Sequence, residues 1–320
     1  MYSKKLVALL GALMVFTLSH AQTFPNKPLK IIVPYPPGQA SDQISRMVAD
    51  KVSQAVGQPI IVENKPGAGG NLGTEIGAKS PADGYVMTIG TAALPISKLV
   101  YKKLTFDPVN DFNGITLMTT MPLVLVVPPA LKVNTVAELV EYAKNNPGKV
   151  NFASSGTGTS HQLAGEMFKQ YANVDITHVP YKGSPPAHLD LMGGSVDLMF
   201  DNIVAVAPHI KSGKLKALAV TSKTRSPILP NVPTMRESGY PKIEAVAWFG
   251  VLVPKGTPKN IINLLNKEFV AALVNPEIKN KLQESGAQVV ASTSEEFDIF
   301  MQNEVNKWSS VINTAKISLD

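Results

Sequence analysis

Twice in this chain a short apolar strand runs straight into a loop of small and hydroxyl residues and then into a capped helix. The first copy spans residues 29–56 and the second 150–172. In the first, Leu29-Lys30-Ile31-Ile32-Val33 reads as a strand. Pro34-Tyr35-Pro36-Pro37-Gly38-Gln39-Ala40 cannot be helix, because proline fixes φ and carries no donor. Ser41 or Asp42 then caps a helix whose apolar face is Ile44, Met47, Val48, Val52 and Ala55. In the second copy, Val150 to Ala153 leads into Ser154-Ser155-Gly156-Thr157-Gly158-Thr159-Ser160. Thr159 and Gln162 form a capping box ahead of Leu163, Met167, Phe168 and Tyr171. The orphan N–H groups and dipole of a helix N-terminus favour an anion. One such loop is most simply a turn. Two, at matching places in two halves, put a ligand site between them on equal terms with plain turns.

The rest of the chain keeps the strand–helix alternation of an α/β fold with largely parallel sheets. Ile60-Ile61-Val62, Tyr85 to Ile89, Met121 to Val127, Val196 to Phe200, Leu215 to Thr221 and Val246 to Val253 read as strands. A helix lies around Thr74 to Lys79, and Thr135 with Glu138 boxes another. Thr257 with Pro258 gives a cap plus an N1 proline, opening a helix with Ile261, Leu264, Leu265 and Phe269 inward. Thr293 and Glu296 box the last helix, whose stripe is Phe297, Phe300, Met301, Val305, Trp308 and Ile312. At 320 residues and 44% hydrophobic, the chain has material for two cores. Only 17% of residues are charged, and 25 prolines with 23 glycines argue against coiled coils. The apolar segments near 121–127 and 246–253 suit crossings between two domains facing one cleft. Residues 22–121 with 248–320 then make the first domain, and residues 122–247 the second.

Lys4 and Lys5 precede an apolar run from Leu6 to Leu18 and the small-residue site Ser19-His20-Ala21. This is the pattern of a cleaved signal peptide over residues 1–21, and the run is too short for a membrane span. Without Lys4 and Lys5 the net charge of +6 becomes +4, with the basic residues scattered, so a nucleic-acid partner is not expected. Cysteine is absent, which excludes disulfides, thiolate zinc sites, iron–sulfur clusters and cysteine nucleophiles.

Other motifs offer less. Gly67-Ala68-Gly69-Gly70-Asn71-Leu72-Gly73 has the spacing GxGxxxG, lacks the acidic residue of a dinucleotide site, and no P-loop sequence occurs. Among His161, His178, His188 and His209 there is no HExxH or HxH, so no metal is expected. His161 lies in the first turn of its helix beside Ser154, Ser155 and Ser160, without the GxSxG elbow of a serine hydrolase. Orienting or capping the loop is its simpler role. Asp197 and Asp201 share a strand face, where an acid–base pair is weighed against one turn-capping aspartate and one satisfied by backbone donors; the second is preferred. Trp248-Phe249 reads as core, and Tyr181-Lys182-Gly183 as a loop.

Several of these segments recur together in one family. They include Pro34-Tyr35-Pro36-Pro37-Gly38, Val62-Glu63-Asn64-Lys65-Pro66-Gly67-Ala68-Gly69-Gly70-Asn71, Ala82-Asp83-Gly84-Tyr85 and Phe106-Asp107-Pro108 with Asp111-Phe112. Ser154-Ser155-Gly156 with Gly158-Thr159 and His161-Gln162-Leu163-Ala164-Gly165-Glu166 belongs to the same set. So do Val179-Pro180-Tyr181-Lys182-Gly183, Leu191 to Asp201 and Pro230-Asn231-Val232-Pro233-Thr234. In this order and spacing the chain resembles the Bug proteins, substrate-binding components of tripartite tricarboxylate transporters.

The resemblance implies a periplasmic, monomeric protein with a type II binding-protein fold: two α/β domains that close on a ligand in a central cleft like a flytrap. It implies a small carboxylate ligand, di-, tri- or aromatic, delivery to a two-component inner-membrane permease, and neither catalysis nor a cofactor. It brings Tyr35, Pro37, Gly38, Gln39, Ala40, Ser41 and Asp42 toward the ligand from one loop. From the other come Ser154, Ser155, Gly156, Thr157, Gly158, Thr159, Ser160 and His161, with Thr91, Tyr181 and Asp201 as further lining. Two departures stand out. Gln39 replaces a common second glycine, and Ala92-Ala93-Leu94-Pro95 is less polar than the family pattern, which suits an aromatic or longer carboxylate. Two alternatives stand beside this reading: a periplasmic hydrolase using His161 with a nearby serine, and a ligand-loaded sensor partner.

Overall fold

The computed structural model describes residues 24–314, so the segment that carries the signal-peptide reading lies outside the described residues. In chain order, β1 (Leu29–Val33), α1 (Ala40–Val56), β2 (Ile60–Asn64), α2 (Asn71–Ala78), β3 (Val86–Thr91) and α3 (Ala93–Val100) lead to a long β4 (Phe112–Val127). Then come α4 (Val136–Asn145), β5 (Val150–Ser154), α5 (Ser160–Ala172), β6 (Ile176–Pro180), α6 (Ser184–Gly193), β7 (Leu198–Asn202), α7 (Ile203–Lys211) and β8 (Lys216–Val220). The chain ends with β9 (Val246–Pro254), α8 (Lys259–Val274), α9 (Pro276–Glu284), β10 (Gln288–Val289) and α10 (Ser294–Thr314).

Two mixed sheets share β4. In one, β2, β1 and β3 run parallel, and β9 joins β3 and β4 antiparallel to both. In the other, β6, β5 and β7 run parallel, and β4 pairs antiparallel with β7 and β8. The change of partner on β4 falls at Pro122, which ends the β9 pairing opposite Val246; Leu123 begins the β7 pairing opposite Asn202. Proline has no N–H for a ladder, so it is tolerated where pairing breaks. The Leu123 N–H donates to Thr221 Oγ1 at 2.9 Å, and the Thr221 hydroxyl donates to the Ala245 carbonyl. One buried side chain therefore ties together three passages of the chain between the sheets.

The capping boxes form as the sequence indicates. Thr135 accepts from the Glu138 N–H, Thr159 from that of Gln162, and Thr293 and Glu296 cap each other reciprocally. On α10, Phe297, Met301 and Trp308 are fully buried, and Gly250 on β9 is glycine because a Cβ there would run into the Phe297 ring.

Other details differ. Helix α1 starts at Ala40 with Gln39 as N-cap; Asp42, its third residue, reaches back to accept from the Gly38 N–H at 2.9 Å, and Ala55 faces solvent. Pro258 is the N-cap of α8, while Thr257 donates to the Pro254 carbonyl, and Ile262 rather than Ile261 is buried. Helices α3 and α6 are masked in the sequence by Pro95, Pro185 and Pro186. All three lie in first turns, where no ladder N–H is needed.

Candidate functional site

The C-terminal ends of β1, β3, β5 and β7 open onto one narrow inner cavity of about 20 Å³. This is the usual location of ligands in α/β sheets. It is lined by Tyr35, Gln39, Thr91, Ala92, Ala93, Ser155, Thr159, Ser160, His161, Asn202, Ala247, Trp248 and Phe249. Four of these residues are helix N-caps: Gln39 for α1, Ala92 for α3, Thr159 for α5 and Asn202 for α7. Four positive helix ends thus converge on one small space, and no lysine or arginine among the described residues lines it.

Hydrogen bonds fix the walls. The Tyr35 hydroxyl donates to the Gly69 carbonyl at 3.1 Å and lies 3.3 Å from Thr91 Oγ1, which accepts from the Ala93 N–H. Burial raises the Tyr35 pKa to about 12, so it remains a neutral phenol. Trp248 is anchored through its indole N–H to Glu304 at 3.0 Å, and with Ala92, Ala93, Ala247 and Phe249 it makes an apolar wall.

Contacts across the cleft close it. The Ser184 N–H donates to Gln39 Oε1 at 3.2 Å, and the Tyr101 hydroxyl donates to the Thr157 carbonyl at 3.3 Å. Gly69 packs so tightly against Thr157 that a Cβ would overlap its carbonyl. Outside this seal lies a wider groove between Tyr35, Gly67 to Gly70 and Tyr101 on one side and Ser155 to Thr157 and Tyr181 to Gly183 on the other.

Beneath the cavity is a charged layer. Asp201, fully buried, accepts from the Asn202 N–H at 2.6 Å and lies 2.7 Å from His188 Nε2 and 3.2 Å from His161 Nε2. Burial would raise the Asp201 pKa, but His161 and His188 together hold it at about 2. Burial pushes His161 below the ordinary imidazole range, against the pull of Asp201. The preferred sequence reading, one turn-capping aspartate and one satisfied by backbone donors, therefore leaves out the main partners of Asp201, which are histidines. Asp197 accepts from the Asn151 N–H at 2.7 Å and takes no part. No group of three or more acidic or histidine side chains among the described residues is arranged to hold a metal ion.

Of the residues singled out in the sequence, Tyr35, Gln39, Thr91, Ser155, Thr159, Ser160 and His161 line the inner cavity, and Gly156, Thr157 and Tyr181 the outer groove. Pro37 and Gly38 are exposed, while Ala40, Ser41 and Asp42 are buried in the first turn of α1 and face neither space. Ser154 lies below the cavity against His178, Gly158 packs on Tyr101, and Asp201 supports His161 from beneath. Asn202, Ala247, Trp248 and Phe249 complete the wall. Trp248 and Phe249 are core and cavity at once, at 1% and 4% exposure. No local pattern in the sequence marks Asn202, because its place beside His161 depends on how β7 and α5 meet.

The sequence pattern of the tripartite tricarboxylate transporter family receptor matches residues 44–317. Three solved structures share the fold. Periplasmic binding protein BugD superposes with a TM-score of 0.89 at 34% identity, covering 92% of this chain and 99% of its own. Rpa4515 of R. palustris, solved with adipate, gives 0.90 at 35% identity, over 92% and 99%. MatC of Rhodopseudomonas palustris, solved with bound malate, gives 0.87 at 30% identity, over 90% and 100%. The chain belongs to the tripartite tricarboxylate transporter receptor family, that of the Bug proteins, and has their periplasmic binding-protein fold.

Proposed function

We propose that this protein captures a small carboxylate in the inner cavity by closing two lobes on it, and hands it to a two-component membrane permease. The lobes are residues 22–121 with 248–320, and residues 122–247, joined where β4 changes partner. The observation that carries this reading is the convergence of four helix N-caps on a cavity without lysine or arginine. Backbone N–H groups and hydroxyls are enough to hold a carboxylate when helix ends face it.

Differential contact drives closure. Ser155, Thr159 and His161 stand on one lobe and Tyr35, Gln39 and Thr91 on the other, so a ligand between them favours the closed form. The apolar wall of Ala92, Ala93, Trp248 and Phe249 suits an unbranched or aromatic carbon skeleton, in keeping with the adipate of Rpa4515. The site is the exported kind, in the periplasm, reached through the signal peptide.

A hydrolase finds little support. The serine–histidine pair that does form joins Ser154 Oγ to His178 Nε2 at 2.7 Å, and Ser154 is fully buried in β5, out of reach of a substrate. His161 has its Nε2 committed to Asp201 and Asn202.

Thermal unfolding against a panel of mono-, di- and tricarboxylates and aromatic acids tests the proposal. A ligand at 100 times its Kd adds about 2.7 kcal/mol, or roughly 5–10 °C. Protein that has been unfolded and refolded to strip retained ligand, yet shifts with no acid, would refute it.

A further inference from the structure

Two buried polar atoms at the cavity lack partners: His161 Nδ1 and Asn202 Oδ1. Both residues are only 3% exposed and both line the cavity. Their arrangement also contains a conflict. His161 Nε2 is 3.2 Å from Asp201 Oδ1 and 3.2 Å from Asn202 Nδ2. An ionised Asp201 requires a proton on Nε2, and a protonated nitrogen cannot accept from an amide NH₂. Turning the Asn202 amide over removes the conflict: its oxygen then accepts from Nε2–H, and its NH₂ takes the unpartnered position.

We propose that His161 Nδ1 and the Asn202 NH₂ form a subsite for a second carboxylate, and that this carboxylate enters together with one proton from solvent, which settles on Nδ1. The inference rests on the carboxylate reading of the cavity. With Nε2–H given to Asp201, Nδ1 of the neutral ring is a bare lone pair that repels an anion. Protonation reverses this and leaves an imidazolium between two carboxylates, Asp201 below and the ligand above. The four helix ends balance one negative charge well; a second needs a counter-charge, and among the described residues His161 is the one basic side chain on the wall. Burial holds the His161 imidazole below its ordinary range, against the pull of Asp201. The groups facing it are Asp201 on β7, His188 on α6 with His209 of α7 behind it at 5.2 Å, and the neutral phenol of Tyr35. Consequently the ligand raises a depressed imidazole pKa, and affinity for a second carboxylate increases as pH falls.

Titration calorimetry tests this, with succinate, glutarate and adipate set against butanoate, pentanoate and hexanoate. The runs span pH 6.5 to 8 in buffers of different ionisation enthalpy. The best dicarboxylate should take up about one proton and gain up to about tenfold in affinity per unit fall in pH. The monocarboxylates should take up none. His161→Gln should abolish proton uptake and pH slope. Dicarboxylate binding without proton uptake in the wild type would overturn the inference, and that series needs no variant. Uptake persisting in His161→Gln would place the proton on His188 or His209 and also overturn it. Binding of none of the six acids would overturn this inference, whereas the carboxylate reading falls only if the tricarboxylates and aromatic acids of the thermal panel also give no shift.

Discussion

Gly69 and Thr157 meet across the cleft with no room between them: a Cβ on Gly69 would overlap the Thr157 carbonyl oxygen. Gly69 stands in the turn before α2 with a φ of 64°, and Thr157 in the loop that leads into α5. The contact therefore joins two loops from opposite sheets, and under the proposed closure of the lobes it forms as the cleft shuts. Gly69→Ala should still fold, at a cost of about 1 kcal/mol for the left-handed backbone. It should lower ligand affinity at least tenfold and keep the protein expanded in small-angle scattering with ligand present. Gly38→Ala is the control, since it carries the same backbone penalty at φ 83° with nothing near its Cβ. Equal affinities in the two variants would show that the Gly69 contact does not limit closure.

Ser155 and Thr159 separate binding from folding. Thr159 caps α5 and donates to the Gly156 carbonyl at 2.7 Å, so Thr159→Ala should lose about 0.5–2 kcal/mol of stability as well as affinity. Ser155 holds no cap. Ser155→Ala should weaken binding by about 1–3 kcal/mol with little change in melting temperature. Calorimetry beside thermal unfolding checks both, and unchanged affinity in both variants would remove this loop from the site.

Acid should weaken the fold in two stages. Burial lowers the His178 pKa to about 4, so between pH 6.5 and 4 the unfolded chain binds a proton that the folded chain refuses, and stability falls as pH falls. His161 acts in the same direction. Discounted for partial solvent access, His178 contributes about 2 kcal/mol across this window. Asp201 acts lower, its stabilisation being lost as pH drops from the ordinary aspartate range toward 2. Urea unfolding at pH 7, 6 and 5 should show a slope that His178→Gln makes shallower.

Thr221 holds the junction of the sheets, and Thr221→Val removes the acceptor of the Leu123 N–H and the donor to Ala245 together. The buried amide left behind should cost about 1–3 kcal/mol, while Thr221→Ser should restore most of it. A melting temperature unchanged in Thr221→Val would show that water or a shifted strand replaces the hydroxyl.

What could be read from the sequence depended on whether the deciding interaction was local. The boxes at Thr135, Thr159 and Thr293 are settled within four residues, and all three helices start there. The start of α1 was displaced because Asp42 looks like a cap, yet it bonds backward to Gly38 while Gln39 supplies the extended backbone. Helices α3 and α6 were hidden by prolines that only a known first turn makes harmless. The loops at 34–40 and 154–160 were legible as strand-to-helix turns of small and hydroxyl residues, and both send residues to the inner cavity. The contribution of Asn202 and the pairing of Asp201 with two histidines were not, since β7, α5 and α6 meet only in the folded sheet.

Recognition of a carboxylate's charge by helix ends is tested by calorimetry on refolded protein, comparing the best acid of the thermal panel with its primary amide. The amide keeps the shape and loses the charge. The acid should bind at least about a hundredfold more tightly, a difference of about 2.7 kcal/mol. Equal binding of acid and amide would contradict it, because four converging helix N-termini would then be contributing nothing to recognition.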